Sequence, residues 1–295
     1  VRSRHARRPG KSPESQARVM PFPPEAFAAV SVFVFLAGLC IGSFLNVCIW
    51  RIPRDESIVW PGSHCPACNH AIAPWDNLPL LSWILLGGKC RHCQAPISPR
   101  YFVVELLTGA LFAGLWFAHG WSLLTPVYVF FTGALILGTF VDFDHLILPD
   151  RVTLGGMVAG LVLSFAFPEL QGRGERLPAL LQSAFGLALG YGILWTVATV
   201  GRLALKREAM GFGDVKLLGA VGACLGWQAV LFAVFVSSLS GTLLGFALIA
   251  LGKKELQSRI PYGPHIALAA VLWMFCGPAC IDLYLSWAFA ARPAL

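Results

Sequence analysis

Long apolar stretches separated by short polar segments run along most of this chain. A helix that crosses a membrane needs about 20 mostly apolar residues, and stretches of this kind occur eight times. They lie near residues 26–49, 102–118, 124–141, 152–168, 179–201, 215–226, 228–251 and 265–290. The pattern predicts an all-α polytopic membrane protein with about eight transmembrane helices, of which the sixth is short.

The composition supports this prediction. Of the 295 residues, 57% are hydrophobic and 13% are charged, and the mean hydropathy of +0.69 exceeds what a soluble domain of this size needs to fill one core. The net charge of +7 does not indicate nucleic-acid binding, because the basic residues lie between apolar runs and form no single patch. We therefore expect membrane lipid around the chain and no nucleic-acid partner.

The distribution of lysine and arginine predicts the orientation. When Lys216 is counted with the loop before it, the even-numbered segments between the apolar stretches hold 13 of these residues, and the odd-numbered ones hold 3 without the amino-terminal tail. Basic loops tend to stay in the cytoplasm. The loops at 50–101, 142–151, 202–214 and 252–264 are therefore expected there. Residues 1–25, with Met20 just before the first apolar stretch, are interpreted as a tail that is disordered or not translated in the native protein.

Four cysteines in the longest polar segment form a pattern typical of a metal site. Cys65-x-x-Cys68 and Cys90-x-x-Cys93 are separated by 21 residues, and each short spacing lets a tight turn direct two thiolates at one tetrahedral Zn²⁺. Two disulfides or free thiols are the alternatives, but disulfides rarely persist in the reducing compartment predicted for this loop. Four sulfur ligands leave no position for water, so the zinc is expected to be structural.

Acidic residues next to the apolar stretches are the second candidate for chemistry. Asp142 follows an uncharged apolar run, and Asp214 follows Gly211-Phe212-Gly213 directly before another. Ionisable groups at membrane depth are costly and usually functional. The predicted topology brings both acids to the cytoplasmic margin, where two carboxyl groups sharing one proton could activate water and polarise a peptide carbonyl. The glycines would permit unusual backbone angles and let an extended substrate approach closely.

Other interpretations of these acids remain open at this stage. Gly-x-Gly-Asp is also compatible with a loop in which Asp214 caps a helix. Asp144 competes with Asp142 but is expected to be solvated or paired with His145 or Arg151, and Asp150 is expected to cap the next helix. Glu105 is expected to cap the second span, or to neutralise a basic substrate.

Taken together, these motifs resemble the bacterial type IV prepilin peptidase family over nearly all of the chain after Met20. The resemblance is carried by the cysteine pairs, by the two acidic motifs and by the sequences GSFLNV (42–47), RIP (51–53), WDNLPLLSW (75–83), ISPRY (97–101) and VELLT (104–108). It implies that Asp142 and Asp214 are the catalytic pair of an aspartyl endopeptidase, that Gly211 and Gly213 support the catalytic loop, and that the four cysteines bind zinc.

The resemblance also implies substrates, a cofactor and a location. The enzyme would cut the basic leader from type IV prepilins and from pseudopilins of type II secretion, at the cytoplasmic face of the bacterial inner membrane. It would then methylate the new amino terminus with S-adenosylmethionine, at an unknown site. The expected division is a tail (1–25), a first transmembrane helix (26–49), a cytoplasmic four-cysteine zinc domain (50–101) and a membrane-embedded peptidase core (102–295).

Two other classes of protein are considered. A transporter that binds a cation through intramembrane acids predicts acids deep within several spans and an internal repeat, whereas here the acids lie at one face and no repeat is evident. A non-enzymatic anchor that presents a zinc module to a partner would use Asp142 and Asp214 only as paired structural groups. Exchange of Asp214 for Asn distinguishes the anchor from the peptidase.

Overall fold

The computed structural model describes residues 23–206, 210–252 and 261–290. The predicted tail therefore lies, as far as residue 22, outside the described residues. The helices are α1 (Pro24–Arg51), the short α2 (Leu81–Leu85), α3 (Pro99–His119), α4 (Leu124–His145), α5 (Asp150–Ala166), α6 (Arg176–Leu205), α7 (Phe212–Leu225), α8 (Trp227–Ala250) and α9 (Gly263–Ala290). Short 3₁₀ turns cover Ile52–Arg54, Pro74–Asn77 and Pro168–Gln171.

The predicted fold class is confirmed, with a difference in helix length. Each of the eight predicted spans coincides with a helix, and no strand is formed in the described ranges apart from isolated bridges in the cysteine loop. Within the described ranges, six helices are long and apolar enough to cross a membrane. The other two, α5 and α7, have 17 and 14 residues. At 1.5 Å per residue α7 is about 21 Å long, shorter than the hydrocarbon core of a bilayer.

The shortest of these helices, α7, lies at the centre of the bundle. Eleven of its 14 residues are buried, among α5, α6, α8 and α9. Glycines allow this close packing: a β-carbon on Gly160 of α5 would stand 2.7 Å from the Ala223 carbonyl carbon of α7, and one on Gly190 of α6 would overlap the Leu218 carbonyl. Because the longer neighbouring helices surround it, α7 does not have to span the bilayer to be stable within the membrane.

A second close packing joins α1 to α3. A β-carbon on Gly38 would stand 2.8 Å from the Gly109 α-carbon, and one on Gly42 would stand 2.7 Å from the α-carbon of Glu105. These two glycines form a Gly-x-x-x-Gly pair on α1, the spacing that lets membrane helices approach closely. The cysteine loop connects α1 to α3, so the packing of these two helices holds the two ends of the loop together.

Polar contacts show which helix ends lie at the same end of the bundle. The last turn of α4, the first residues of α7 and α9, the end of α1 and the start of α3 meet at one end of the bundle, which we call the aspartate end because it contains Asp142 and Asp214. The opposite end is joined by other bonds, such as the one between His119 Nε2 and the Met274 carbonyl oxygen (2.8 Å). Contacts between Gly263 and Asp142, Arg100 and Phe140, and Lys216 and Asp150 thus place the helix ends of the aspartate end together. The side of the membrane that this aspartate end faces stays a prediction.

Candidate active site and metal centre

Asp142 lies in the last turn of α4 and is only 5% exposed. Its Oδ2 accepts a hydrogen bond from the backbone N–H of Gly263, the first residue of α9 (3.1 Å). The free N–H groups at a helix start favour a negative charge. The carboxylate is thus held by a helix that is 121 residues away in the sequence.

Asp214 is the third residue of α7 and is 7% exposed. Gly211 is the residue that precedes the helix as its N-cap, and its backbone hydrogen-bonds to the Asp214 carboxylate. Asp214 therefore occupies the position from which an acidic side chain reaches back to the cap, as in half of a capping box. It is not the N-cap residue itself.

Leu148, which follows α4, packs against the start of α7 next to Asp214 and against the start of α9, which binds Asp142. A β-carbon on Gly213 would stand 2.9 Å from Leu148 Cβ, and one on Gly263 would stand 3.2 Å from Leu148 Cδ1. Leu148 is buried, and the two carboxylates are close enough to interact electrostatically. Two acids from distant parts of the sequence thus share one buried region at the aspartate end.

The glycines of the Gly-x-Gly-Asp sequence have a different role from the expected one. Gly211 has φ −67°, and neither it nor Gly213 is among the residues with positive φ. Unusual backbone angles are therefore not the reason for these glycines. Their lack of a β-carbon matters instead: Gly213 leaves room for Leu148, and a β-carbon on Gly211 would stand 3.2 Å from Asp214 Oδ2.

Asp144 and Asp150, the other acids near Asp142, form ion pairs that the sequence did not predict. Asp144 forms an ion pair with Arg100 of α3, and not with His145 or Arg151. Asp150 is the first residue of α5 and makes no capping bond; its Oδ1 lies 2.6 Å from Lys216 Nζ. None of the three ion pairs in the described part of the chain includes Asp142 or Asp214.

Exposed apolar side chains surround the aspartate end. Phe143, Leu146 and Ile147 follow Asp142, and Phe212 precedes Asp214; about half of each side chain is exposed. The Phe212 ring packs edge-on against Tyr191. Exposed apolar side chains occur over the whole surface of the bundle, as expected for helices that face lipid.

Sequence reasoning missed Gly263 and Leu148. The sequence Gly263-Pro264 before the last apolar stretch is typical of a helix start, but no local pattern shows that its N–H reaches Asp142. Tyr262 and His265 fix this start against α8, because the Tyr262 hydroxyl lies 2.7 Å from Ser237 Oγ and His265 Nδ1 lies 3.0 Å from Ser240 Oγ.

We expect Gly263→Ala to lower kcat for the reaction of this site by about tenfold to a hundredfold, since small displacements of a reacting group are costly. The added methyl group would stand 2.7 Å from Asp142 Oδ2 and has to displace it. Steady-state kinetics of the purified variant measures this.

Gly192→Ala is the matched control for that variant. Gly192 is a helical glycine of α6 with nothing within 4 Å of its β-carbon position, so alanine there should leave kcat unchanged and stabilise the helix by about 1 kcal/mol. Wild-type kcat in Gly263→Ala would show that the position of Asp142 does not depend on this contact.

The four cysteines meet as their spacing predicts. Their sulfur atoms all lie within 4.8 Å of one another, the Cys65 and Cys93 sulfurs are 3.8 Å apart, and all four are free thiols. Such a cluster could hold one metal ion, and four thiolates suit tetrahedral Zn²⁺. The four sulfur atoms therefore lie close enough together to share one metal ion, and they form no disulfide.

Both cysteine pairs have the same backbone structure. In each, the second cysteine is followed by a residue in the left-handed region, Asn69 (φ 57°) and Gln94 (φ 58°). In each, two hydrogen bonds close the turn, namely Asn69 N to Cys65 O (2.8 Å), Cys65 N to His70 O (2.9 Å), Gln94 N to Cys90 O (3.0 Å) and Cys90 N to Ala95 O (2.9 Å). This repetition places two sulfurs from each turn around one point.

Charge and ring contacts lie around the cysteine cluster. Backbone N–H groups of Cys68 and Ala67 lower the pKa of the Cys65 thiol, whereas the pKa of the Cys68 thiol is raised. Arg91 donates to both carboxylate oxygens of Asp76 (2.7 and 2.6 Å) and lowers the pKa of this acid. The rings of His70 and His92 contact each other, with centroids 3.4 Å apart and planes inclined by 35°.

Glu105 does not cap its helix, contrary to expectation. The N-cap of α3 is Ser98, whose side chain accepts from Arg100 N, and Glu105 lies nearly two turns further on and is buried. Its Oε2 accepts a hydrogen bond from the backbone N–H of Leu80 (2.8 Å). Glu105 therefore fastens the cysteine loop to the membrane bundle.

Comparison with known proteins identifies the family. The sequence model of the bacterial peptidase A24 N-terminal domain matches residues 36–119, and that of the type IV leader peptidase family matches residues 129–246. Together, the two matched ranges include the cysteine loop and both acidic motifs. The chain belongs to the type IV leader peptidase family, a family of multi-pass membrane peptidases.

Curated proteins are similar in sequence to this chain over most of its length. A protein of Aeromonas hydrophila named prepilin leader peptidase/N-methyltransferase is 38% identical over 283 residues, 86% of this chain and 93% of the relative. Proteins of the same name from Pseudomonas aeruginosa (33%, covering 90% of this chain and 96% of the relative) and Myxococcus xanthus (42%, covering 74% and 63%) are also similar. No solved structure matches the chain.

Proposed function

We propose that this chain is an aspartyl endopeptidase that removes the basic leader from type IV prepilins and from type II secretion pseudopilins. It then methylates the new amino terminus with S-adenosylmethionine. The reactions take place at the cytoplasmic face of the bacterial inner membrane. The proposal is supported by the family membership and by the names of the relatives.

The peptidase activity is inferred mainly from two buried acids, Asp142 on α4 and Asp214 on α7. Neither acid has a cationic partner among the described residues. Two carboxyl groups that share one proton can hydrolyse a peptide without a metal or a covalent intermediate. The ionised carboxylate takes a proton from water while the protonated one donates to the carbonyl oxygen. The water oxygen then bonds to the carbonyl carbon, and the C–N bond breaks as the leaving amine accepts a proton.

The Gly263 and Gly211 backbone groups would hold the two acids in place during this step. Both bonds leave other carboxylate oxygens or lone pairs free for a shared water. The exposed apolar side chains around the aspartate end would contact the apolar helix of a prepilin, whose basic leader remains in the cytoplasm. The scissile bond would thus lie at the membrane boundary where the acids are.

We assign the proposed functions to the predicted domains. Residues 102–295 form the peptidase core, and residues 50–101 form a cytoplasmic domain that folds around one structural Zn²⁺ held by Cys65, Cys68, Cys90 and Cys93. S-adenosylmethionine, when bound, would supply an activated methyl group to the amine; a neutral thioether would leave and the amine would release a proton. The chain's own contribution is to hold the amine unprotonated beside the donor.

The test is cleavage of a synthetic prepilin that spans a basic leader and an apolar helix, with the relative from Aeromonas hydrophila as positive control. We expect the purified wild-type protein to cut it, and mass spectrometry to detect one added methyl group only when S-adenosylmethionine is present. Asp142→Asn should do neither on the uncut substrate. An intact prepilin under conditions in which the relative cuts it would refute the proposal.

A further inference from the structure

A cavity lies between the end of α1, the cysteine loop and the start of α3. Its volume is about 430 Å³, within the about 300–1,000 Å³ that small-molecule sites occupy. It is separate from the buried region around Asp142 and Asp214. Part of its wall is formed by the cysteine loop, so its shape depends on the metal centre.

Glu105 contributes a buried negative charge to this cavity. The residue is 8% exposed, and its carboxylate accepts from two neutral donors, the backbone N–H of Leu80 (2.8 Å) and the Ser43 hydroxyl. In the described ranges it takes part in no ion pair. A buried carboxylate without a cation is costly, so the cavity favours a positively charged group beside Glu105.

Arg51 contributes a buried positive charge to the same cavity. It is 7% exposed, and its guanidinium donates only to carbonyl oxygens, those of Ser57 (2.9 Å) and Gly62 (3.3 Å). As with Glu105, none of the ion pairs found within residues 23–206, 210–252 and 261–290 includes it. Arginine pairs well with carboxylates. One cavity therefore presents an anion and a cation that do not neutralise each other, which matches a zwitterionic ligand.

Glu56 and the ion pair of Asp76 with Arg91 also line the cavity, but most of its surface is apolar. Trp50, Trp83, Val47, Leu86 and Ile97 line it, and the Trp83 indole N–H is already used by the Ile97 carbonyl (3.2 Å). Indole rings provide flat apolar surfaces that suit a heteroaromatic base. A ligand for this cavity should thus combine an amino-acid zwitterion with a flat aromatic group.

We propose that this cavity is the binding site of the methyl donor, which rests on the proposed function. S-adenosylmethionine is an amino acid joined through a cationic sulfur to adenosine, so it carries the charges and the aromatic base that the cavity fits. Arg51 binds its carboxylate, Glu105 faces its positive charges, and the tryptophans contact the adenine.

The position of the cavity suits the order of the two reactions. Tyr101 lines it, and the preceding residue, Arg100, donates to the Phe140 carbonyl oxygen (3.1 Å) and pairs with Asp144. The start of α3 thus connects the cavity to the last turn of α4, which carries Asp142. An amine released by cleavage would reach the donor by moving along the same end of the bundle.

Photolabelling of the wild-type protein locates the site without relying on activity. The purified protein is irradiated with ultraviolet light in the presence of S-adenosylmethionine that carries a labelled methyl group, and the labelled peptides are sequenced. Label within residues 43–105, removed by excess unlabelled donor, is the expected result. Label confined to peptides of α4 to α9 would overturn the site. A protein that takes no label and methylates no pilin would instead refute the transferase half of the proposed function.

Equilibrium binding to charge variants tests the residues. Glu105→Gln keeps an acceptor for Leu80 N–H but removes the charge, and Arg51→Lys keeps the charge but removes the planar donor pair. Each should weaken binding of S-adenosylmethionine by about tenfold, the loss expected for one charged hydrogen bond, while prepilin cleavage and zinc content are retained. Glu175→Gln, an exposed acid before α6, is the matched control and should bind normally. Wild-type affinity in both cavity variants would overturn the assignment. If a variant also loses cleavage or zinc, the photolabelling result decides.

Discussion

Asp214→Asn is expected to lower the rate of prepilin cleavage by about a thousandfold or more, because asparagine can neither take a proton from water nor share one with Asp142. The substitution keeps the shape of the side chain and its bond to the backbone of Gly211, so the protein should fold and bind zinc as before. The measurement is single-turnover cleavage of a synthetic prepilin, followed by mass spectrometry.

A double variant tests whether the two acids act in the same catalytic step. If the two acids act as a unit, Asp142→Asn/Asp214→Asn should be no slower than either single variant, since residues that share one catalytic step are strongly non-additive. Asp150→Asn is the matched control: this acid lies at the same end of the bundle, but it is exposed and paired with Lys216. Cleavage by Asp214→Asn at the wild-type rate would favour a non-enzymatic anchor.

Cys90→Ser is expected to lower the zinc content of the purified protein at least about tenfold, because serine is a poor ligand for a structural zinc ion whose site helps to fold the loop. Methylation should be lost with it. Cleavage should fall only in part, because Asp142 and Asp214 are held by α4, α7 and α9 and not by the loop.

Metal analysis of the protein and mass spectrometry of the pilin amino terminus measure the two effects. Cys40→Ser is the control, since Cys40 is an exposed residue of α1 outside the cluster; it should keep its zinc and both activities. Equal and complete loss of cleavage and methylation in Cys90→Ser would mean that the cysteine loop supports the whole enzyme and is not a separable module.

The contacts of Glu105 connect this second prediction to the methyl-donor cavity. Its bond to Leu80 fastens the cysteine loop to α3, while its charge faces the cavity. Loss of zinc would therefore disturb the cavity wall before it disturbs the acids. Methylation should be the more sensitive of the two activities to metal removal.

Much of the fold was determined by the sequence alone. Eight apolar stretches predicted eight helices, since few structures other than helices satisfy the backbone in lipid. The Cys-x-x-Cys pairs predicted the cluster, because each pair depends on a local turn that its own residues form. The charge pattern assigned Asp142 and Asp214 to the same face of the membrane without any knowledge of their packing.

Only the tertiary structure decided which groups meet. Whether Asp144 pairs with His145, Arg151 or Arg100 depends on how α3 lies against α4, and a periodic pattern within one segment carries no information about that. The same holds for Gly263, which contacts Asp142 across 121 positions of the chain. It also holds for Glu105, whose partner Leu80 lies outside its own helix. Local patterns reflect the periodicity and polarity of one segment, whereas side-chain partners depend on the packing of several helices at once.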